Sequence, residues 1–202
     1  MSSVRETLRA ELGAAVLSAR GEGLDSVLVL DAGAVPGALA RAQALGCNVL
    51  VDITCVDHLR WVPAGRGTPS HPDRMPRWEL PKPPSRFKLV YRLMALDAGQ
   101  GAVRERLALE CWLEGDAGPA SARSLWPNAD WLEREVWDMF GVRFSDRPDI
   151  KRILMYEEFV GHPLRKDYPI GKRQPLLGVD DGAAPAALSD EELRPSPGGK
   201  RP

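Results

Sequence analysis

Charged side chains that can do chemistry crowd into one short stretch, Trp131-Leu132-Glu133-Arg134-Glu135-Val136-Trp137-Asp138-Met139-Phe140-Gly141. Two carboxylates can divide acid and base duties only when they meet at one reacting group. At about 100° per residue, Glu133 and Glu135 diverge by about 200° on a helix, so they cannot form such a pair. Arg134 and Asp138 stand four residues apart, the spacing of a routine helix ion pair worth about 0.2–0.5 kcal/mol. Spacing alone therefore assigns these charges to a solvated face. The aromatic residues argue otherwise. Trp131 and Trp137 flank the stripe of Leu132, Val136, Met139 and Phe140, which is more aromatic surface than one core requires. Trp beside Arg on a helix is the composition that protein interfaces favour.

Other chemistry finds less support. Cys47, Cys55 and Cys111 are scattered, and an iron–sulfur cluster normally takes four thiolates. Their odd number and lack of a CxxC pair suit reduced thiols. His58, His71 and His162 share no ligand spacing. A metal-independent hydrolase would use Glu133 or Asp57 with His58, but no nucleophile lies near any base in the sequence. Neither G-x-G-x-x-G nor a P-loop is present. Eight cations lie between Arg143 and Arg173, among them Arg147, Arg152, Arg165 and Lys166, but five acids interleave with them. Such mixed signs fit contact with a protein better than a phosphate track.

The whole chain has 202 residues, 44% of them apolar, and a net charge of −1. This length suits one domain with an appendage, and the charge balance argues against nucleic acid. The longest uncharged run, Ala42 to Val51, falls well short of the roughly 20 residues a membrane helix needs. The first residues lack a secretory apolar run, so the chain reads as one that stays in a bacterial-type cytoplasm.

Ser3-Val4-Arg5-Glu6 has the form of a capping box, and Val4, Leu8, Leu12 and Val16 predict a helix from about Ser3 to Arg20. Val27 to Leu30 reads as a strand covered on both faces. A helix starting at Pro36 ends at Gly46, and a strand with Val49, Val51, Ile53 and Cys55 on one face follows. Trp61 to Ser85, with seven prolines, reads as a loop insertion. Phe87 to Leu93 and Val103 to Leu113 alternate as a hairpin around Asp97–Gly101, with Glu105 the one polar residue on the apolar face. Asn128 is placed to cap a helix that Gly141 stops. These elements predict a two-layer α+β fold, helices packed on one face of a small mixed sheet, over residues 1–145. Residues 146–202 read as an extended C-terminal segment, with 174–202 either disordered or ordered only by lying on something else.

Together with Pro148-Asp149-Ile150-Lys151-Arg152-Ile153-Leu154 and Gly161-His162-Pro163-Leu164-Arg165-Lys166-Asp167-Tyr168-Pro169, the stretch Trp131 to Gly141 resembles a known signature. An E-R-E-x-x-D helix, an R-I-L strand and a G-H-P-L-R-K-D-Y-P segment occur in this order in the 30 kDa subunit of the proton-pumping NADH:quinone oxidoreductase, respiratory complex I. Weaker resemblance runs back through Ser124-Leu125-Trp126, the strand from Arg86 and Val56-Asp57. One position departs: Arg147 stands where the family usually has a histidine before Pro148.

The resemblance implies a hydrophilic peripheral-arm subunit at the cytoplasmic side of the bacterial inner membrane, touching the membrane only through the complex. It would carry no flavin, cluster or quinone of its own, with FMN and iron–sulfur clusters in partner subunits. It would pack beside the large quinone-site subunit, its C-terminal segment wrapping neighbours. Trp131, Glu133, Arg134, Glu135, Trp137, Asp138, Arg152, His162, Arg165, Lys166 and Asp167 would then serve assembly rather than catalysis. A homologous subunit of a membrane-bound hydrogenase is the alternative.

Overall fold

The computed structural model describes residues 3–21, 25–59, 83–97 and 99–169. Their order is α1 (Val4–Leu12), β1 (Val16–Arg20), β2 (Asp25–Leu30), α2 (Val35–Ala44), β3 (Val49–Asp57), β4 (Phe87–Asp97), β5 (Ala102–Leu113), β6 (Ala117–Gly118), α3 (Ala129–Phe140) and β7 (Arg143–Phe144). Five strands form one sheet in the order β1-β2-β5-β4-β3, and β6 pairs with β7 in a second, small one. Only β2 and β5 run parallel within the large sheet; its other pairs are antiparallel. All three helices pack on it, α1 against β2 and β5, α3 against β3. The two-layer α+β expectation holds.

Alternation on the strands explains the layering. Leu28, Leu30, Leu89, Tyr91, Leu93, Leu107, Leu109 and Cys111 point to the helices and are buried with Leu8, Leu39 and Val136. Opposite parity puts Val27, Val90, Arg92 and Ala108 on the face without helices, so β2 is not covered on both faces as its apolar run suggested.

Three boundaries differ from the sequence reading, each for a local reason. The first helix stops at Leu12, because Gly13 takes φ 52° and a 3-10 turn follows. Val16–Arg20 then becomes an edge strand against β2, although the four-residue repeat runs on through Val16. In β3 the register shifts between Leu50 and Asp52, so Leu50 turns inward and Val51 is left 53% exposed. Such a bulge reverses the expected face of one residue. Asn128 makes no cap bond; its amide donates to Leu50 O at 2.8 Å and ties the start of α3 to β3. Residues 61–82 of the Pro-rich insertion and the tail beyond residue 169 lie outside the described residues.

Glu105, the exception on β5, has a structural task. Its carboxylate is buried and accepts from Val4 N at 2.8 Å and Arg5 N at 3.1 Å, while the Ser3 hydroxyl accepts from Glu6 N at 3.1 Å. The open amides at the start of α1 are thus met by a capping box and by a strand 100 residues away. Glu105→Ala leaves one buried and one partly buried amide without partners and is expected to cost about 1–3 kcal/mol. Ser3→Ala, at an exposed cap, should cost about 1 kcal/mol. Urea unfolding of both variants checks the order.

Candidate functional site

Helix α3 carries the signature, and its C-terminal end organises what surrounds it. A helix leaves its last four carbonyl oxygens without partners. Here all four are met. Gly141 N donates to Trp137 O at 2.7 Å, His162 Nδ1 to Asp138 O at 3.0 Å, Leu164 N to Met139 O at 3.1 Å, and Arg165 Nε to Phe140 O at 2.5 Å. Three of these donors come from the strap, residues 145–169, which runs back along the helix without forming regular structure. Gly141 adopts φ 73°, and a Cβ there would lie 2.3 Å from Arg165 Nη2 and 2.6 Å from the His162 ring. Only glycine lets the strap approach so closely.

A carbonyl can only accept, so the His162 proton sits on Nδ1. Burial lowers the His162 pKa, and the nearby Arg165 and Arg152 charges lower it further against the helix end. The ring caps α3 as a neutral imidazole.

Asp138 is the second anchor of the strap. Its fully buried carboxylate accepts from Ile153 N at 3.1 Å and from Leu154 N and Met155 N at 2.9 Å each, and pairs with Arg152. Burial alone would raise its pKa. The Met155 and Leu154 amides, the Arg152 guanidinium and the Ile153 amide outweigh that and hold it below the ordinary range. The expected Arg134–Asp138 ion pair is therefore not formed. Arg134 instead donates to Lys151 O at 3.1 Å and Arg152 O at 2.8 Å, with its guanidinium 5.8 Å from the Trp131 ring. Nor does R-I-L form a strand: the amides of Ile153 and Leu154 that a ladder would need are held by Asp138. Arg152 also donates to Phe159 O and Gly161 O and lies over the Trp137 and Phe159 rings.

Glu133 likewise leaves the solvated face to which spacing assigned it. It is 0% exposed and accepts from Ala122 N and Ser121 Oγ at 2.7 Å each, and from Arg147 Nη1 at 3.0 Å. Arg147 reaches Asp130 with its other arm at 2.5 Å. An arginine fork bridges two carboxylates at once, which an imidazole at the same place cannot do.

The third anchor joins the strap to the sheet. Arg86 donates to Asp57 at 2.8 and 3.0 Å and to Asp167 at 2.6 and 3.1 Å, and Lys166 N donates to Asp57 Oδ2 at 2.8 Å. Arg86 holds the Asp167 pKa down; for Asp57, burial pulls upward but Arg86 and the Lys166 and Leu59 amides win.

Of the signature residues, Glu133, Arg134, Asp138, Arg152, His162, Arg165 and Asp167 thus bond within the chain, and Lys166 contributes its amide while its side chain is exposed. Trp131 and Glu135 face outward, and Trp137 is half-buried. Sequence reasoning missed the roles of Asp57, Arg86 and Arg147. Their partners lie at long range, and the only local cue was an aspartate at the inward-facing end of a strand. Asp57 turns to Arg86, whereas His58 meets Trp112 with ring centres 5.0 Å apart, so they do not form a dyad. Among the described residues, no group of three or more His, Cys, Asp or Glu gathers where it could hold a metal ion. Burial pushes the Cys47 thiol up to about 11 and those of Cys55 and Cys111 to about 12, unfavourable for thiolate ligation.

Residues 30–174 match the model of the family described as the 30 Kd subunit of respiratory-chain NADH dehydrogenase. The chain belongs to this family. NADH-quinone oxidoreductase subunit 5 of Thermus thermophilus is 36% identical over 140 residues, 69% of this chain and 59% of the relative. This member of the 30 Kd subunit family therefore spans less than two thirds of that relative's length. The NADH-quinone oxidoreductase C/D protein of Psychrobacter cryohalolentis is 48% identical over 86 residues, 43% of this chain but only 14% of the relative. Among solved structures, a trypsin-resistant fragment (1–134) of Nqo5 aligns with a TM-score of 0.53 and 29% identity, covering 72% of this chain and 96% of the fragment.

Asp138→Asn removes the charge opposite buried Arg152 and is expected to cost about 3–5 kcal/mol. Arg134→Ala should cost about 1 kcal/mol, since it removes two hydrogen bonds at the partly exposed rim. Denaturant unfolding measures both. The lowered carboxylates contribute stability that is complete above about pH 4 and lost as pH falls below it. For His162, whose neutral form the fold prefers, the contribution is complete above about pH 6.5 and declines below it. Urea midpoints should thus fall in two stages from about pH 7.5 to about pH 3.5, and His162→Asn should make the upper one shallower, leaving the share of His58, whose pKa burial also lowers.

Proposed function

We propose that this chain is a non-redox structural subunit of the peripheral arm of an NADH:quinone oxidoreductase. It supports electron transfer from NADH to quinone, coupled to proton translocation, without touching the electrons. The observation that carries the reading is the use of the signature itself. Glu133 and Asp138, the residues best suited to acid–base work, are both fully buried and engaged with backbone amides and guanidinium groups of their own chain. Residues so engaged hold a shape. Membership of the 30 Kd subunit family supports the same conclusion.

In this reading FMN and iron–sulfur clusters are supplied by partner subunits, and the buried high-pKa thiols here take no part. The large quinone-site subunit is the principal neighbour. The described part of residues 1–145 is then the unit that the strap closes, and the extended C-terminal segment would serve contact with partners. No described helix is long and apolar enough to cross a membrane. Attachment at the cytoplasmic side of the inner membrane would then come through the complex.

The tagged chain, solubilised from membranes, is expected to bring down flavin- and iron–sulfur-bearing subunits, identified by mass spectrometry. Arg165→Ala uncaps Phe140 O, and Asp167→Ala removes one of the two carboxylates that hold Arg86; each should lower the amount of assembled complex several-fold. NADH–quinone turnover per assembled complex should stay near normal. Full assembly with turnover lost would overturn the structural assignment.

A further inference from the structure

The face of the sheet without helices has a hollow at Ala108. Register sets Ala108 between Val27 on β2 and Arg92 on β4, and the next side chains on that face of β5 are Arg106 and Glu110. A methyl group among longer neighbours leaves a depression of about 380 Å³. Half-buried Val27 and Ala108 and buried Val90 line its floor, and the exposed Arg20, Arg92 and Arg106 its rim.

The charges around it are not evenly met. Glu110 pairs with both Arg20 and Lys88, and Asp25 with Arg106. Arg92 stands beside Asp52 in register but makes no ion pair among the described residues. Three arginines thus line the hollow against two carboxylates. An occupant that fits brings small apolar side chains for the floor and a carboxylate for Arg92. The same face of a second copy does not fit, since it presents the same arginines.

The chain carries a segment of that chemistry. Between Arg173 and Arg194 it has five acids and no Lys or Arg, and the first two acids, Asp180 and Asp181, directly follow Leu176-Leu177-Gly178-Val179. The tether is long enough. Asp167 is bound to Arg86, one residue before β4. Arg92 lies six residues beyond Arg86, about 20 Å at the rise of a strand. Thirteen residues lead from Asp167 to Asp180, and when extended they span up to about 45 Å, enough to round the edge at β3 as well. Attachment to the same polypeptide keeps the segment at high effective concentration. We propose that residues 176–181 occupy the hollow. Leu177 and Val179, which share one side of an extended chain, lie against Val27, Val90 and Ala108, and the acid pair Asp180-Asp181 meets Arg92. The rest of the tail then leaves from the side of the sheet opposite the helices, and the residues beyond 181 remain for the partner contacts proposed above. The hollow and its occupant do not depend on membership of the oxidoreductase complex.

The test uses the full chain carrying Arg92→Lys, a change at an exposed position that places an amine where the guanidinium stands. Carbodiimide joins an amine to a carboxylate only where the two touch, and mass spectrometry of the monomer identifies the joined peptides. The amine at position 92 should be joined to Asp180 or Asp181 roughly fivefold more than to Asp190, Glu191 or Glu192, which the same tether carries past it. Adding Ala108→Phe, which fills the hollow without altering a charge, should cut the product roughly fivefold at an unchanged melting midpoint. Should that change lower the midpoint, Leu177→Ser with Val179→Ser, outside the described domain, takes its place and should give the same loss. Four results overturn the proposal: no product with Asp180 or Asp181 in a folded chain, equal joining to both acid clusters, a yield indifferent to these substitutions, or a product confined to cross-linked dimers.

Discussion

The four carbonyl oxygens at the end of α3 set the terms for the last third of the molecule. Left dry and unpaired, each would carry a desolvation penalty of about 1–3 kcal/mol, a large fraction of a domain's net stability. The fold answers with donors from one glycine and one returning segment. Because His162, Leu164 and Arg165 must reach successive carbonyls, the path of the strap is set to within hydrogen-bond tolerance. Gly141 has no side chain because that path passes where one would stand.

Charge then holds what the caps position. Asp138 gathers three consecutive amides and one guanidinium, Glu133 an amide, a hydroxyl and another guanidinium, and Asp57 and Asp167 share Arg86. Each carboxylate is met by several donors, the condition under which a buried charge is tolerated at all. These contacts link α3 to the strap and to the loop before it, and the strap to the sheet. A signature that reads as candidate chemistry is therefore a set of joints, and its outward side chains, Trp131, Glu135 and Lys166, are those free to meet another molecule.

Much of the architecture was legible from short-range pattern. The β4–β5 hairpin follows from strict alternation, α2 from Pro36 and Gly46, and the stop of α3 from Gly141. Failures came where distant residues decide. The four-residue repeat through Val16 favours more helix, but Gly13 turns the chain and β2 recruits the next five residues into the sheet. Val51 reads as inward by parity until the bulge reverses it. Glu133 and Asp138 read as solvent-facing because spacing says nothing about a loop or strap covering that side of the helix. Glu105 stood out as a misfit, and its reason lay at the other end of the domain.

That last contact has a consequence for how the polypeptide is made. The first helix is completed by a carboxylate that leaves the ribosome 100 residues later, and α3 by an arginine 25 residues beyond its own end. Neither helix can be finished where it is synthesised. Nascent chains must hold both ends open until the closing partners emerge, so prematurely terminated products keep helix ends whose amides and carbonyls lack these partners.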